Sequence, residues 1–202
     1  MKISAVIMAS GASKRMGENK LLFQYSGMSF IENTIKKVLE SGFYEINLVT
    51  SHNEIENIYR NLLETNGFKK EKNHNFIITK NHNPDKGISE SIKLGVKNLK
   101  PCDAYMFFTA DQPKLSTETI KYIMSKAEID KIIIPKYNNE NGSPTIFGGN
   151  FKDNLLYLEG DTGGKQIVQE NKGKVKYLDI KNVEEGIDID TQEEYRKLIG
   201  KL

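Results

Sequence analysis

The pattern that most constrains this chain is the alternation of short, nearly unbroken apolar runs with longer amphipathic stretches. Residues 3–9, 45–50, 76–79, 104–109 and 131–135 each read as a buried strand. Between them, Phe30, Ile31, Ile35, Val38 and Leu39 fall on one face at helical spacing, and Ile55, Ile58, Tyr59, Leu62 and Leu63 repeat the pattern. Ile88, Ile92, Leu94, Val96 and Leu99 do so more loosely. Ser116 opens a further helix, with Glu118 in its first turn and Ile120, Ile123 and Met124 inward. Residues 191–202, with Tyr195, Leu198 and Ile199, read as a closing helix. Strands that lack polar alternation are covered on both faces, which predicts an α/β chain with a mostly parallel sheet between two helical layers. No linker, internal repeat or low-complexity tract interrupts the pattern, so one domain is expected over residues 1–202.

Composition removes several classes of function. Basic residues number 29 against 27 acidic, a net charge of +2, and no concentrated basic stripe stands out, which argues against nucleic-acid binding. The densest basic run, residues 69–72, contains Glu71 and reads as a solvated loop. Cys102 is the single cysteine, which excludes an intrachain disulfide and fits a reducing, cytoplasmic setting. His52, His74 and His82 lack zinc-ligand spacing. No apolar run approaches membrane-spanning length, and the first one, followed at once by a Gly-rich basic loop, reads as a strand rather than a leader.

In open, mostly parallel sheets ligands bind beyond the carboxyl ends of the strands, so the loops there carry the chemistry. The first is Met8-Ala9-Ser10-Gly11-Ala12-Ser13-Lys14-Arg15-Met16-Gly17-Glu18-Asn19-Lys20. Its small residues let the backbone approach a ligand, successive N–H groups form an anion-binding concavity, and Arg15 and Lys20 bring charges suited to phosphate oxygens. The alternative is a flexible basic surface loop. It is not an ATP-binding P-loop, because five residues separate Gly11 from Gly17 and Glu18 follows. A G-x-G-x-x-G turn is absent too.

Further along, Asp111 in Thr109-Ala110-Asp111-Gln112-Pro113 ends the most apolar strand. It is either a turn residue or, at an active-site edge, a ligand of Mg²⁺, since a desolvated carboxylate needs a partner. Magnesium commonly takes a second acid, and Asp188-Ile189-Asp190 places two carboxylates on one side of an extended segment. Asp190 could instead be no more than a helix N-cap or the neighbour of one. Residues 83–92, 142–147 and 160–165 are all readable as plain turns, with Ser89 a possible cap.

Residues 8–20 resemble the signature of the MobA-like NTP transferases, L-A-[AG]-G-x-S-x-R-M-G-x-x-K. Gly11, Ser13, Arg15, Met16, Gly17 and Lys20 match; Met8 and Ser10 depart conservatively. The likeness extends over nearly the whole chain. It implies a three-layer Rossmann-like nucleotidyltransferase fold, a nucleotide-binding loop of Ala9, Ser10, Gly11 and Ser13, and catalytic contacts from Arg15, Lys20 and Asp111. Asn83, Gly87 and Ser91 fall on a family segment that borders base and ribose, and Mg²⁺ would rest on Asp111 with Asp188 or Asp190. In relatives that serve molybdenum cofactor, positions matching Pro144, Asp161, Gly163 and Lys165 line the acceptor side; Gly164-Lys165 here replaces Ala-Arg.

The Asp-Ile-Asp ending and the Ala-Asp-Gln-Pro tetrad are closest to the molybdenum cofactor cytidylyltransferases. The implied partners are CTP and molybdopterin, with a molybdenum hydroxylase or its chaperone downstream. The rivals are a guanylyl sister, a transferase acting on a sugar or methylerythritol phosphate, and a non-catalytic nucleotide-binding maturation factor.

Overall fold

The computed structural model describes residues 1–11, 18–65 and 75–200; Ser13, Arg15 and the basic run 69–72 lie outside them. The chain begins with β1 (Ile3–Ala9), a two-stranded hairpin of β2 (Gln24–Tyr25) and β3 (Met28–Ser29), α1 (Phe30–Glu40), β4 (Glu45–Thr50) and α2 (Asn53–Thr65). It continues with β5 (Asn75–Lys80), α3 (Ile88–Lys97), β6 (Ala104–Phe108), α4 (Thr117–Met124) and β7 (Ile132–Tyr137). After these come β8 (Glu140–Asn141), β9 (Thr145–Gly148), α5 (Lys152–Leu156), α6 (Gly164–Glu170), β10 (Val175–Ile180) and α7 (Gln192–Ile199).

Local chemistry sets the helix starts. Ser29 and Glu32 form a capping box at α1, Thr191 and Glu194 another at α7, and the Ser116 hydroxyl accepts from Thr119 N–H at the head of α4. Ser26 and Gly27, both at positive φ, turn β2 into β3; Asn138 and Asn139, also at positive φ, turn β7 into β8.

Among the described residues the main sheet has eight strands, in the order β5-β4-β1-β6-β9-β7-β10, with β8 paired to β7. The pairs β5–β4, β4–β1, β1–β6 and β7–β10 are parallel, while β9 runs antiparallel between β6 and β7. Alternate residues of the central strands feed two apolar cores. Ala5, Ile7, Leu48, Met106 and Phe108 pack on one face, where α1, α2 and α4 lie. Val6, Val49, Tyr105 and Phe107 pack on the other, under α3, α5 and α6. This is the expected three-layer, mostly parallel α/β architecture.

The apolar runs located β1, β4 to β7 and the five longer helices. They did not reveal β9, whose Thr-Ile-Phe-Gly is too short to separate from a turn, or β10, an edge strand in which Lys176, Tyr177 and Asp179 are exposed. The functional consequence lies at β1. The chain builds outward from β1 to β4 and β5, then returns to lay β6 on the opposite side of β1. That reversal opens a crevice at the carboxyl ends of the central strands.

Close packing under the crevice depends on Gly95 of α3, where a Cβ would stand 2.4 Å from Cγ1 of the buried, χ1-stiff Val6. Helix propensity favours alanine at such a site by about 1 kcal/mol, but the steric conflict is larger. Gly95→Ala is expected to lower stability by about 1–3 kcal/mol. Urea unfolding should show this as a fall in midpoint at constant slope.

Candidate functional site

Three segments remote in sequence meet in the crevice. Lys20 stands at the start of a single 3₁₀ turn, Lys20–Leu22, whose preceding Asn19 side chain accepts from Leu21 N–H. Its ammonium donates to Asp111 Oδ2 at 2.7 Å and to Asp190 Oδ1 at 2.6 Å. Asp111 follows Ala110, a buried non-glycine residue at φ 63°, and receives a short hydrogen bond from the Thr109 hydroxyl on Oδ1. A left-handed residue here costs about 1–2 kcal/mol and turns the chain sharply at the end of β6. The segment carrying Asp188 and Asp190 is held beside that turn by Ile189 N–H donating to the Asp111 carbonyl at 3.1 Å. Ile189 is buried against Phe30 and Leu198, while the two flanking carboxylates face the Asp111 region.

Charge is crowded at this point. The side chains of Lys20 and Asp111 are 15% and 13% exposed, against 49% for Asp190, so the first pair is largely shielded from water. Burial alone would lower the Lys20 pKa, but the charge and hydrogen bonds of Asp111 and then Asp190 outweigh it and leave it raised. Asp188 as a whole residue is solvent-accessible, yet its carboxyl is crowded by protein atoms. That desolvation, followed by the charges of Asp111 and Asp190, pushes it up to about 6, against a hydrogen bond from Gln112 and the charge of Lys20. Two carboxylates thus meet one ammonium, with Asp188 near enough to feel their charge, and among the described residues no three acidic side chains close on a single point.

The cleft above has a volume of about 310 Å³. Met8, Ser10, Gly11, Lys20, Leu21, Thr109 and Asp111 line one part of it; Pro84, Gly87, Ile88, Ser91 and Asp161 line the other. Ser10 is buried and its hydroxyl donates to Val49 O at 3.2 Å. Ala9 lies one residue behind, buried in the sheet, its carbonyl accepting from Thr50 Oγ1. Asn83 is exposed in the turn after β5, and Pro84 rather than Asn83 borders the cleft. Ser91 is fixed from beneath by Asn81, which is buried and donates to its hydroxyl at 3.2 Å while accepting from Asn83 N–H at 2.9 Å.

The segments at 87–91 and 160–163, each readable in sequence as a turn, are packed on one another. Gly87 has φ 86°, and a Cβ there would lie 2.6 Å from Gly160 O. Ile88 N–H donates to Asp161 Oδ1, Ser89 donates to Gly160 O at 2.6 Å, and Gly163 lies against the Ile88 side chain. Ser89 is therefore a tether and not a helix cap. Lys165 is exposed and Pro144 is buried beside β9, neither among the residues lining the cleft. Gly164 has no room for the alanine of the family pattern while the Phe147 ring stays in place, since a Cβ would come within 2.5 Å of it.

Sequence reasoning did not single out Asn81, Thr109 or Glu185. Asn81 carried one signal, a polar residue directly after an apolar strand; buried Glu185 carried none. Glu185 accepts from Ser116 N–H and Oγ–H at 2.9 and 2.8 Å. On the other side of that loop, Pro113 O accepts from both Asn33 and Lys37 at 2.9 Å. The Asp111 turn is thereby pinned from α1 and from the 183–190 segment.

Residues 5–175 match the MobA-like NTP transferase domain, and the chain belongs to that family. Nicotine blue oxidoreductase of Paenarthrobacter nicotinovorans is 23% identical over 206 residues, spanning 98% of this chain and 96% of the relative. Molybdenum cofactor cytidylyltransferase of Escherichia coli (strain K12) is 27% identical over 198 residues, spanning 96% and 93%. Among solved structures, a nucleotidyl transferase from Methanothermobacter thermautotrophicus (Mth528) superposes with a TM-score of 0.79 at 23% identity, over 98% and 96% of the two chains.

Lys37 offers a test of the pinning. Burial lowers its pKa from 10.5 to about 8, against the opposing charges of Glu185 and Glu40. Between about 8 and 10.5 the unfolded chain binds more protons at this group, so stability climbs with pH across that window; below 8 the penalty is constant. Lys37→Met, which leaves Asn33 on Pro113 O, is expected to remove a climb on the order of 1 kcal/mol after allowance for solvent screening. Denaturant midpoints of both proteins between pH 7 and 10.5 measure it.

Proposed function

We propose that the protein is a Mg²⁺-dependent nucleotidyltransferase that moves CMP from CTP onto the phosphate of molybdopterin and releases pyrophosphate. The observation that carries this reading is the meeting of Lys20, Asp111 and Asp190 at the strand-order reversal, beneath a cleft floored by Ser10 and Gly11. Family membership supports transfer from an NTP, and the resemblance to the cytidylyltransferase of Escherichia coli supports CTP and a molybdopterin acceptor.

The donor set fits a divalent cation. Asp111 and Asp190 present carboxylate oxygens to one point, where the Lys20 ammonium stands as a cation in their midst, and Asp188 adds a third negative group nearby. Hard oxygen donors of this kind suit Mg²⁺, with Asp111 and one of Asp188 and Asp190 as its protein ligands. When bound, the metal would supply positive charge against the phosphates as charge develops on them.

The chain's own residues do the rest by positioning. An acceptor phosphate oxygen forms a bond to the α-phosphorus while the α–β bridging bond breaks, and the electron pair leaves on pyrophosphate. Lys20 supplies positive charge toward the β- and γ-phosphates, with Arg15 assigned the same task by resemblance. The backbone at Ser10 and Gly11 meets the triphosphate, and the Pro84, Gly87 and Ser91 edge meets base and ribose. Asp161 and Gly163 face the acceptor. No protein nucleophile is required.

Asp111→Asn should retain its fold by circular dichroism and lose at least about 100-fold in turnover, read as pyrophosphate release from CTP with molybdopterin. Wild-type turnover by that variant in Mg²⁺ overturns the mechanism. A clear preference for GTP in the same assay assigns the protein to the guanylyl branch. Turnover only on sugar or polyol phosphates replaces the acceptor, and calorimetric NTP binding without turnover on any acceptor marks a maturation factor.

A further inference from the structure

The Lys20 contacts have a second meaning. Its ammonium lies 2.7 Å from Asp111 Oδ2 and 2.6 Å from Asp190 Oδ1, and the other oxygen of Asp111 is taken by the Thr109 hydroxyl. A divalent cation on these carboxylates needs the same oxygens at about 2.0–2.1 Å. The ammonium occupies lone pairs that face the site and repels an incoming divalent cation at this range, so it opposes metal binding on these carboxylates. Lys20 has a flexible four-carbon stem and a strongly hydrated point charge suited to phosphate. Its side chain can therefore exchange one set of anionic oxygens for another.

We propose that Lys20 is the resident cation of the carboxylate site in the nucleotide-free protein, excluding divalent metal until the nucleotide's phosphates draw the ammonium away. The inference rests on Asp111 and Asp190 being ligands of a divalent cation. It goes beyond that reading by assigning an order: metal enters with or after the nucleotide. By linkage each then strengthens binding of the other by the same factor. Part of that coupling comes from the released side chain and not from metal–phosphate bonds alone. The arrangement also neutralises Asp111 and Asp190 when no substrate is present, which limits like-charge repulsion between them.

The test is titration of Mn²⁺ into nucleotide-free protein, with free Mn²⁺ followed by electron paramagnetic resonance. Lys20→Met is expected to bind Mn²⁺ on the order of tenfold tighter than wild type, and Lys20→Arg, which keeps the cation, to stay near wild type. A parallel gain is expected in melting temperature, which Mn²⁺ should raise in Lys20→Met at concentrations about tenfold lower than in wild type. Equal or weaker Mn²⁺ binding by Lys20→Met overturns the inference. Should that variant not fold, Lys20→Gln serves for the same comparison. The double variant Lys20→Met/Asp111→Asn separates the two claims. If it binds Mn²⁺ as tightly as Lys20→Met, the carboxylates are not the metal site and the underlying reading fails with the inference. If Mn²⁺ binds at Asp111 in wild type and Lys20→Met alike, the metal reading stands and the exclusion by Lys20 falls.

Discussion

The ammonium of Lys20 between Asp111 and Asp190 is the interaction on which the site's arrangement depends. Its partners lie 91 and 170 residues further along the chain, so no local element could bring them together. The sheet does so through its strand order. β6 returns to the side of β1 opposite β4, which puts the end of β6 next to the loop that carries Lys20. The last segment then lies across both, held by Ile189 N–H on the Asp111 carbonyl. Desolvated opposite charges are worth far more here than on a surface, and a removed partner would leave the remainder uncompensated.

A small aromatic cluster keeps those pieces aligned. Phe23, Phe30 and Tyr195 pack with Ile189 and Leu198, and the Tyr195 hydroxyl donates to Gln24 O at 3.0 Å. This joins α7 to the hairpin directly after Lys20. Glu194, in the capping box of α7, accepts from both Asp190 and Thr191 N–H at 2.8 Å, so the residue that starts the helix also orients the backbone bearing Asp190. Thr191 holds the cap, so Asp190 is the neighbour of a cap and not the cap itself. Asp190 is left with its carboxylate on Lys20.

What could be read from sequence follows from how each feature is encoded. The buried strands were legible because both their faces are covered, which leaves an uninterrupted apolar run such as residues 3–9. Asp111 was legible only through the architecture, because a carboxylate after such a run is a turn residue unless the strand ends at the crevice. β10 was not, because an edge strand alternates with solvent and Lys176 and Asp179 look like loop residues. Ala110 at positive φ left no mark, since glycine or asparagine would be the usual signal and alanine is not. Glu185 was equally silent: its role depends on Ser116, 69 residues away, and only the fold makes them neighbours.

The far wall of the cleft is encoded differently from the charged residues below it. Lys20, Asp111 and Asp190 meet at the ends of the central strands, whereas the far wall of the cleft is built where the Gly87 turn meets the Gly160–Asp161 turn. Asp161 supplies the carboxylate that the head of α3 lacks, because Gly87 has no side chain to cap it. Any acceptor group that displaces Asp161 must replace that bond, and any shift of the Gly87 turn is felt at Gly163 through Ile88. The two motifs therefore form one packed surface. Specificity on such a surface follows from small changes in loop contacts, which a fold shared at about 25% identity does not determine. A shared fold thus leaves room within one family for relatives named for different chemistry.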